Sequence, residues 1–464
     1  MTRRRRRSTS TSRFGVGRRE NHDASGFYER FRPPVLSADE AVRPPFELSL
    51  DEALVHGDAR AMDLPTGSVA LVVTSPPYFA GKAYEEALGQ DGVPGSYLDY
   101  LAMLHAVFAR CVEALEPGGR LAVNVANLGR RPYRSLSADV IRILQDDLGL
   151  LLRGEVVWVK AAGASGSCAW GSYRSPTNPV LRDVTERVVI ASKGRFGRAQ
   201  GVDARRAAGL PWRSSLSTDE FLEATLDVWR IPPERASRVG HPAPFPVELP
   251  QRLIELYTFE GDLVLDPFLG VGSTAVAAAR LGRRFAGYDT DGDYVETARA
   301  RVRAELATLA RPGAGPRAGT SAVAMAEQLL RDSGFSIRHR RHPVPALGLS
   351  IDLVAEDGAG DTWYFDVSGS VTVADAGLAS SDALWRCLGR AAVLASQTAA
   401  PPLVVLTTQL PPRRSAGDKA LRAAGPAAVF DAVELASPED ADRLALYAKG
   451  SHRDRPAPGF WPAP

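Results

Sequence analysis

At 464 residues, with 45% hydrophobic and 24% charged side chains, the chain is long enough for two cores and has an ordinary globular composition. No run approaches the roughly 20 apolar residues that span a bilayer, so no membrane association is expected and the expected location is the cytoplasm. Cys111, Cys168 and Cys387 stand far apart without CxxC spacing, which argues against a disulfide framework or a structural zinc site and leaves them as buried small hydrophobes, with no metal site expected.

The formal net charge of +2 conceals an uneven start: the first nineteen residues hold eight arginines, Arg3 to Arg7, Arg13, Arg18 and Arg19, and no acid. Residues 1–30 therefore read as a disordered basic arm, which either reaches DNA phosphates by releasing counterions or is a solvated tail. From about Phe46 to Leu309 apolar strands alternate with amphipathic helices, the pattern of a mostly parallel sheet covered on both faces, within a first domain at 31–310. The expected strands are Val69 to Thr74, Arg120 to Asn124, Glu155 to Lys160, Arg187 to Ala191, Leu263 to Asp266 and Arg284 to Tyr288. Tyr97 to Leu115 reads as a helix stopped by Pro117-Gly118-Gly119, and Ser273 to Leu281 as a helix opening beneath a glycine loop. The turn-forming stretch Arg311 to Pro316 marks a linker at 311–320. A smaller α/β domain at 321–464 follows, with a helix at Ala322 to Ser333, strands near Ile351 to Val354 and Trp363 to Val367, a helix at Asp382 to Ser396 and a strand at Leu403 to Thr408.

Two stretches carry chemistry. In Leu263-Val264-Leu265-Asp266-Pro267-Phe268-Leu269-Gly270-Val271-Gly272-Ser273-Thr274 a buried strand runs into a glycine loop and a helix. Gly270 and Gly272 remove Cβ atoms that would obstruct a ligand, and Ser273 and Thr274 offer hydroxyls that can cap the helix. Asp289 ends the next strand about twenty residues on, where a carboxylate either holds two ribose hydroxyls or caps the following helix. In Leu71-Val72-Val73-Thr74-Ser75-Pro76-Pro77-Tyr78 a strand ends abruptly in two prolines, which leave a rigid corner with outward-facing carbonyls. Ser75 Oγ and the Pro76 carbonyl can accept the two hydrogens of an exocyclic amine, and Tyr78 offers a flat face for a base; alone, the same residues make a proline-ended strand with a core tyrosine.

Ser-Pro-Pro-Tyr after a hydrophobic strand, followed about 190 residues later by Asp-Pro-Phe-x-Gly-x-Gly, resembles the circularly permuted, beta class of site-specific DNA amino-methyltransferases. His56-Gly57-Asp58-Ala59, Phe79 to Lys82, Asn124 to Asn127, Trp158-Val159-Lys160, Gly171 to Pro176 and His241 to Pro246 also look like blocks of that family. The resemblance implies a Rossmann-like, seven-stranded methyltransferase sheet and S-adenosyl-L-methionine as cofactor. It implies a reaction centre at Ser75, Pro76, Pro77 and Tyr78, and a cofactor site at Asp58, Asp266, Phe268, Gly270, Gly272, Ser273, Thr274 and Asp289, with Phe245 and Pro246 on the methionine side. Asp58 is otherwise a turn acid, and Lys160 and Arg174 are candidates for phosphate or base contacts. Because adenine-N6 members usually carry Asp-Pro-Pro-Tyr, the resemblance with Ser75 in that place points to the cytosine-N4 branch. A thiol in a Pro-Cys dipeptide, as in enzymes that attack cytosine C6, is missing.

The implied substrate is double-stranded DNA, methylated in restriction-modification with a possible cognate restriction endonuclease as partner. Adenine N6 is the alternative target, and a non-catalytic DNA-binding subunit of a restriction complex is the alternative of another class. The sequence-reading segment is expected near 195–226. In the smaller domain, Glu327, Asp352 and Asp366-Val367-Ser368 resemble a degenerate PD-(D/E)xK nuclease core. Ser368 stands where the lysine should be, and no lysine lies between Lys193 and Lys419.

Overall fold

The computed structural model describes residues 36–77, 94–127, 133–160, 176–216 apart from 180 and 182, 221–233 apart from 223, 245–310, 322–369, 377–397 and 400–461. The basic arm, Tyr78, the segments Phe79 to Lys82, Gly171 to Ser175 and His241 to Pro244, Cys168 and the linker at 311–320 lie outside the described residues.

Continuous apolar runs build a first sheet from β1 (Leu54–His56), β2 (Val69–Thr74), β3 (Leu115–Val125), β4 (Leu151–Val159), β5 (Thr185–Ser192), β6 (Val228–Arg230), β7 (Leu263–Asp266) and β8 (Arg284–Asp289). Their order is β1-β8-β7-β2-β3-β5-β4-β6, all parallel except β5, which is antiparallel to β3 and β4. Eight strands stand where seven were expected. The edge strands β1 and β6 are three residues each, too short to leave a periodic signal in the sequence.

Helix α1 (Tyr97–Ala114) starts where Ser96 accepts the Asp99 N–H, and its buried residues Tyr100, Leu104, Val107, Phe108 and Cys111 recur at helical spacing. That stripe packs on Val69, Val72, Leu121 and Val123 of the sheet. The opposite face, with Leu71, Val73 and Val264, is covered by α2 (Glu248–Tyr257) and α3 (Ser273–Arg280). Helix α4 (Gly292–Leu309) packs outside α3 through Val295, Ala298 and Val302. The chain leaving β7 turns toward β8 and the chain leaving β2 turns toward β3, so the topological switch point lies between β7 and β2. In open α/β sheets the crevice beyond the carboxyl ends at such a point is where ligands bind.

Pro117-Gly118-Gly119 does not end α1 as expected; the helix already stops at Ala114, and the tripeptide lies inside β3. There the pairing with β2 slips from Val69↔Leu115 to Leu71↔Arg120. Gly118, at φ 78°, leaves room for the segment after β5: a Cβ on it would stand 2.0 Å from the Gly197 carbonyl oxygen.

A second sheet has the order β13-β12-β11-β10-β9, from β9 (Ser336–Val344), β10 (Leu349–Glu356), β11 (Thr362–Ser368), β12 (Leu403–Thr407) and β13 (Asp431–Glu434). Strands β9, β10 and β11 are antiparallel, and β11, β12 and β13 parallel. Helices α5 (Ala322–Ser333) and α6 (Ser381–Ala395) belong to the same unit. Phe335, Trp363, Phe365, Phe430 and Tyr447 pack its core edge to face and stacked. The arginine-rich edge strand β9 and the short β13 are absent from the sequence reading, since neither shows an apolar alternation. Among the described residues, no helix is long and apolar enough to cross a membrane.

Candidate active site

The two chemical stretches meet at the switch point. Thr74 Oγ1, at the end of β2, donates to Asp266 Oδ1 at 2.7 Å across 192 residues of chain. Thr274 Oγ1, in the first turn of α3, donates to Asp266 Oδ2 at 2.7 Å, and the Phe268 N–H donates to Oδ1 at 3.1 Å. All three side chains are buried, Asp266 at 1% exposure. Burial pushes the Asp266 carboxyl up to about 7, against the lowering effect of the two threonine hydroxyls, and nearby Asp289 raises it further. Asp266 thus couples the proline corner to the glycine loop from within the core, with both carboxylate oxygens hydrogen-bonded. The expected helix-capping role of Ser273 and Thr274 is corrected. Helix α3 begins from Gly272 in the left-handed region without a side-chain cap, Ser273 is buried, and the Thr274 hydroxyl is turned to Asp266.

The glycine loop takes its shape from two left-handed positions, Gly270 at φ 49° and Gly272 at φ 79°. A Cβ on Gly272 would lie 2.7 Å from the Ala298 Cβ, where α3 and α4 touch. Gly272→Ala is therefore expected to destabilise the protein by about 2 kcal/mol or more, from left-handed strain and overpacking together, read as a lower melting temperature. Beside the loop, Asp289 Oδ2 accepts the Gly270 N–H at 2.7 Å and Oδ1 accepts the Asp291 N–H at 3.0 Å. The helix-capping alternative for Asp289 fails, because Asp291 caps α4 by accepting the Asp293 and Tyr294 N–H groups. Strand β1 pairs with β8 so that His56 lies opposite Asp289, and Gly57 N–H donates to the Asp289 carbonyl at 2.8 Å. Asp58 follows at once. Its carboxylate accepts from Arg60 Nε at 2.8 Å, and that bond holds it below the usual carboxylate range. Phe268 is half-buried against the α1 side of the sheet, Phe245 against the α2 side, and Pro246 is buried.

Beyond Thr74, Ser75 is half-buried, Pro76 buried and Pro77 half-buried. Asn124, near the end of β3, points Nδ2 at Ser75 Oγ at 3.4 Å and donates to Glu186 Oε2 on β5 at 2.5 Å. Lys160, just past β4, donates to Glu186 Oε1 at 2.9 Å. Glu186 goes unnoticed in the sequence because it sits in an ordinary apolar strand. Its partners come from other strands.

In the segment near 195–226, two arginines are engaged with the sheet. Arg198 pairs with Glu116 and, at 3.1 Å, with Asp262; Arg205 pairs with Asp262 at 2.8 Å. Both guanidinium groups stack on Phe259, at 5.5 and 5.0 Å. Glu116 and Asp262 stand at the amino ends of β3 and β7, whereas Ser75 leaves the carboxyl end of β2. The described residues 195–213 therefore pack on the edge of the sheet opposite Ser75, about 17 Å away over the six residues of β2. These arginines are partners of buried acids.

In the second sheet, two of the three acids resembling a nuclease core, Asp352 and Asp366, stand against each other, and the third, Glu327, is taken up by arginines. Glu327 on α5 is held by Arg331 at 2.6 Å and by Arg340 of β9 at 2.6 Å. Asp352 and Asp366 lie one step beyond the Leu353↔Phe365 pair, and Asp352 Oδ2 accepts the Val367 N–H at 2.8 Å. Arg390 of α6 pairs with Asp366 at 2.7 Å, and burial together with Asp352 pushes the Asp366 carboxyl up to about 8. Among the described residues, no group of three or more His, Cys, Asp or Glu is placed to hold a metal ion.

A family profile described as DNA methylase matches residues 69–300, half of the chain. The type II methyltransferase M.ScaI of Streptomyces caespitosus is 26% identical over 279 residues, covering 58% of this chain and 87% of that protein. Among solved structures, a Thermus thermophilus protein complexed with S-adenosyl-L-methionine is 30% identical with a TM-score of 0.42, covering 54% of this chain and 94% of that one. The PvuII DNA methyltransferase (cytosine-N4-specific) is 19% identical with a TM-score of 0.40, covering 55% and 90%.

Proposed function

The chain belongs to the DNA methylase family, and from that premise we propose that it transfers a methyl group from S-adenosylmethionine to the exocyclic N4 of cytosine at a specific site in duplex DNA, in restriction-modification. The observation that carries the proposal is the Thr74–Asp266–Thr274 junction, which sets the proline corner beside the glycine loop at the switch point. Motif order, with the proline corner first, supports a permuted member of the family.

The residues fit the cofactor. Left-handed Gly270 leaves the backbone of the loop open to a ligand, and Asp289, partly exposed and fixed by its two backbone bonds beside the loop, is the proposed acceptor of ribose hydroxyls. Asp58, two residues beyond the His56 that pairs with Asp289, is the proposed contact on the adenine side. When bound, the cofactor supplies an electrophilic methyl carbon on a sulfonium whose sulfur leaves with the bonding pair.

The target base must leave the duplex for its amine to be reached, and Tyr78, next in the chain, is the proposed stacking face. Ser75 Oγ and the Pro76 carbonyl accept the two amine hydrogens, which aims the nitrogen lone pair at the methyl carbon. The proton that the methylated nitrogen must shed would leave along one of those two hydrogen bonds and pass to solvent. The work of the protein is positioning and electrostatic stabilisation. Ser75 in place of an aspartate supports cytosine over adenine. Mass spectrometry of nucleosides from plasmid incubated with the enzyme and S-adenosylmethionine is the test. N4-methylcytosine is the expected product, N6-methyladenine overturns the choice of base, and no methylated nucleoside overturns the activity.

A further inference from the structure

We propose that Asn124, Glu186 and Lys160 form a positioning row that orients the Ser75 hydroxyl for the base amine; the inference rests on the reading of Ser75 as acceptor of that amine. The four residues come from four neighbouring strands, β2, β3, β5 and β4, and meet only because the sheet order sets the carboxyl ends of β2, β3 and β4 and the amino end of β5 along one edge. Ser75 Oγ is 3.4 Å from Asn124 Nδ2, Asn124 Nδ2 is 2.5 Å from Glu186 Oε2, and Glu186 Oε1 is 2.9 Å from Lys160 Nζ. Asn124 and Glu186 are buried, and Lys160 is partly so.

The chemistry of the donors makes this row directional. A carboxylate only accepts, so the Asn124 amide must turn its nitrogen, not its oxygen, toward Glu186. That nitrogen carries a second hydrogen, and Ser75 Oγ is the acceptor on its other side. Receiving this bond occupies one acceptor position of Ser75 Oγ and so narrows the directions from which it can accept the amine of an extruded base. Lys160 neutralises the Glu186 charge, which a buried carboxylate needs in order to remain an acceptor. A flipped amide would set its oxygen against the carboxylate and offer Ser75 an acceptor, turning the serine hydrogen inward and changing which lone pair faces the base.

Glu186→Gln removes the constraint while keeping the shape, since a glutamine can donate as well as accept. Single-turnover methylation of duplex DNA should slow by about tenfold, the worth of one ordered hydrogen bond, with affinity for S-adenosylmethionine and for DNA unchanged. The decisive measurement is the double-mutant cycle with Ser75→Ala. Once the serine hydroxyl is gone the row has nothing to orient, so Glu186→Gln should cost nothing further. Full multiplication of the two losses, or an undiminished rate in Glu186→Gln, overturns the positioning row. No rate loss in Ser75→Ala itself overturns instead the role of Ser75 on which the row rests. Should Glu186→Gln fail to fold by circular dichroism, Asn124→Ala in the same cycle decides by the same criteria.

Discussion

Ser75→Ala is expected to lower the methyl-transfer rate about 100-fold while leaving the Kd for S-adenosylmethionine within about twofold, because in the proposed mechanism the lost oxygen holds the base amine, not the cofactor, and its bond strengthens as charge develops on nitrogen. Removal of one preorganised hydrogen-bond partner of a transition state typically costs that much or more. Asp289→Ala should behave oppositely. Its carboxylate accepts from the Gly270 and Asp291 backbone, so its loss both opens the loop and removes the proposed ribose partner. A rise of about tenfold or more in cofactor Kd, with single-turnover rate at saturating cofactor little changed, is the expected result. Isothermal titration for the cofactor and rapid-quench methylation for the chemistry separate the two, and the reverse pattern would exchange the roles assigned here.

Asp266→Asn should change how stability depends on pH. The Asp266 carboxyl titrates near 7 in the folded protein, chiefly through burial, and near 3.9 when unfolded. Over that window the folded state holds the proton that the unfolded state has lost. The contribution is therefore fully present below about pH 4 and is lost as pH rises toward 7, at about 1.4 kcal/mol per unit, on the order of 4 kcal/mol in all. Asparagine cannot ionise. Wild type minus variant, followed by denaturant unfolding from pH 5 to 8, should fall as pH rises to about 7 and then level. A flat difference would mean that Asp266 is ionised throughout and held by Thr74 and Thr274 as a carboxylate.

Strands β2 and β7 were legible to the residue because each is an unbroken apolar run ended by a chemical stop, two prolines after Thr74 and Asp266-Pro267 after Leu265. The glycine loop was legible for a similarly local reason, since Gly270 and Gly272 adopt conformations that other residues resist. What escaped were pairings across the sheet. Nothing local distinguishes Asp291 from Asp289 as the cap of α4, or assigns the hydroxyl of Thr274 to Asp266 instead of to its own helix. Arg198 and Arg205 mislead for the same reason. An arginine-rich stretch looks exposed until Glu116 and Asp262, dozens of residues away, are brought beside it. Glu186 is the converse case, a buried acid bonded to Asn124 and Lys160 within a strand that shows only its apolar neighbours.

The buried Arg198–Arg205 network has a consequence for building chimaeras. A graft that exchanges residues 193–247 with those of another methylase, in order to move its sequence preference, would cut Arg198 and Arg205 away from Glu116 and Asp262 and strand two acids beneath the sheet. Its junction belongs after Arg213, whose carbonyl still bonds the Glu260 N–H, so that the donor contributes only what lies beyond the scaffold. Alternatively the donor must carry its own acids at both strand starts.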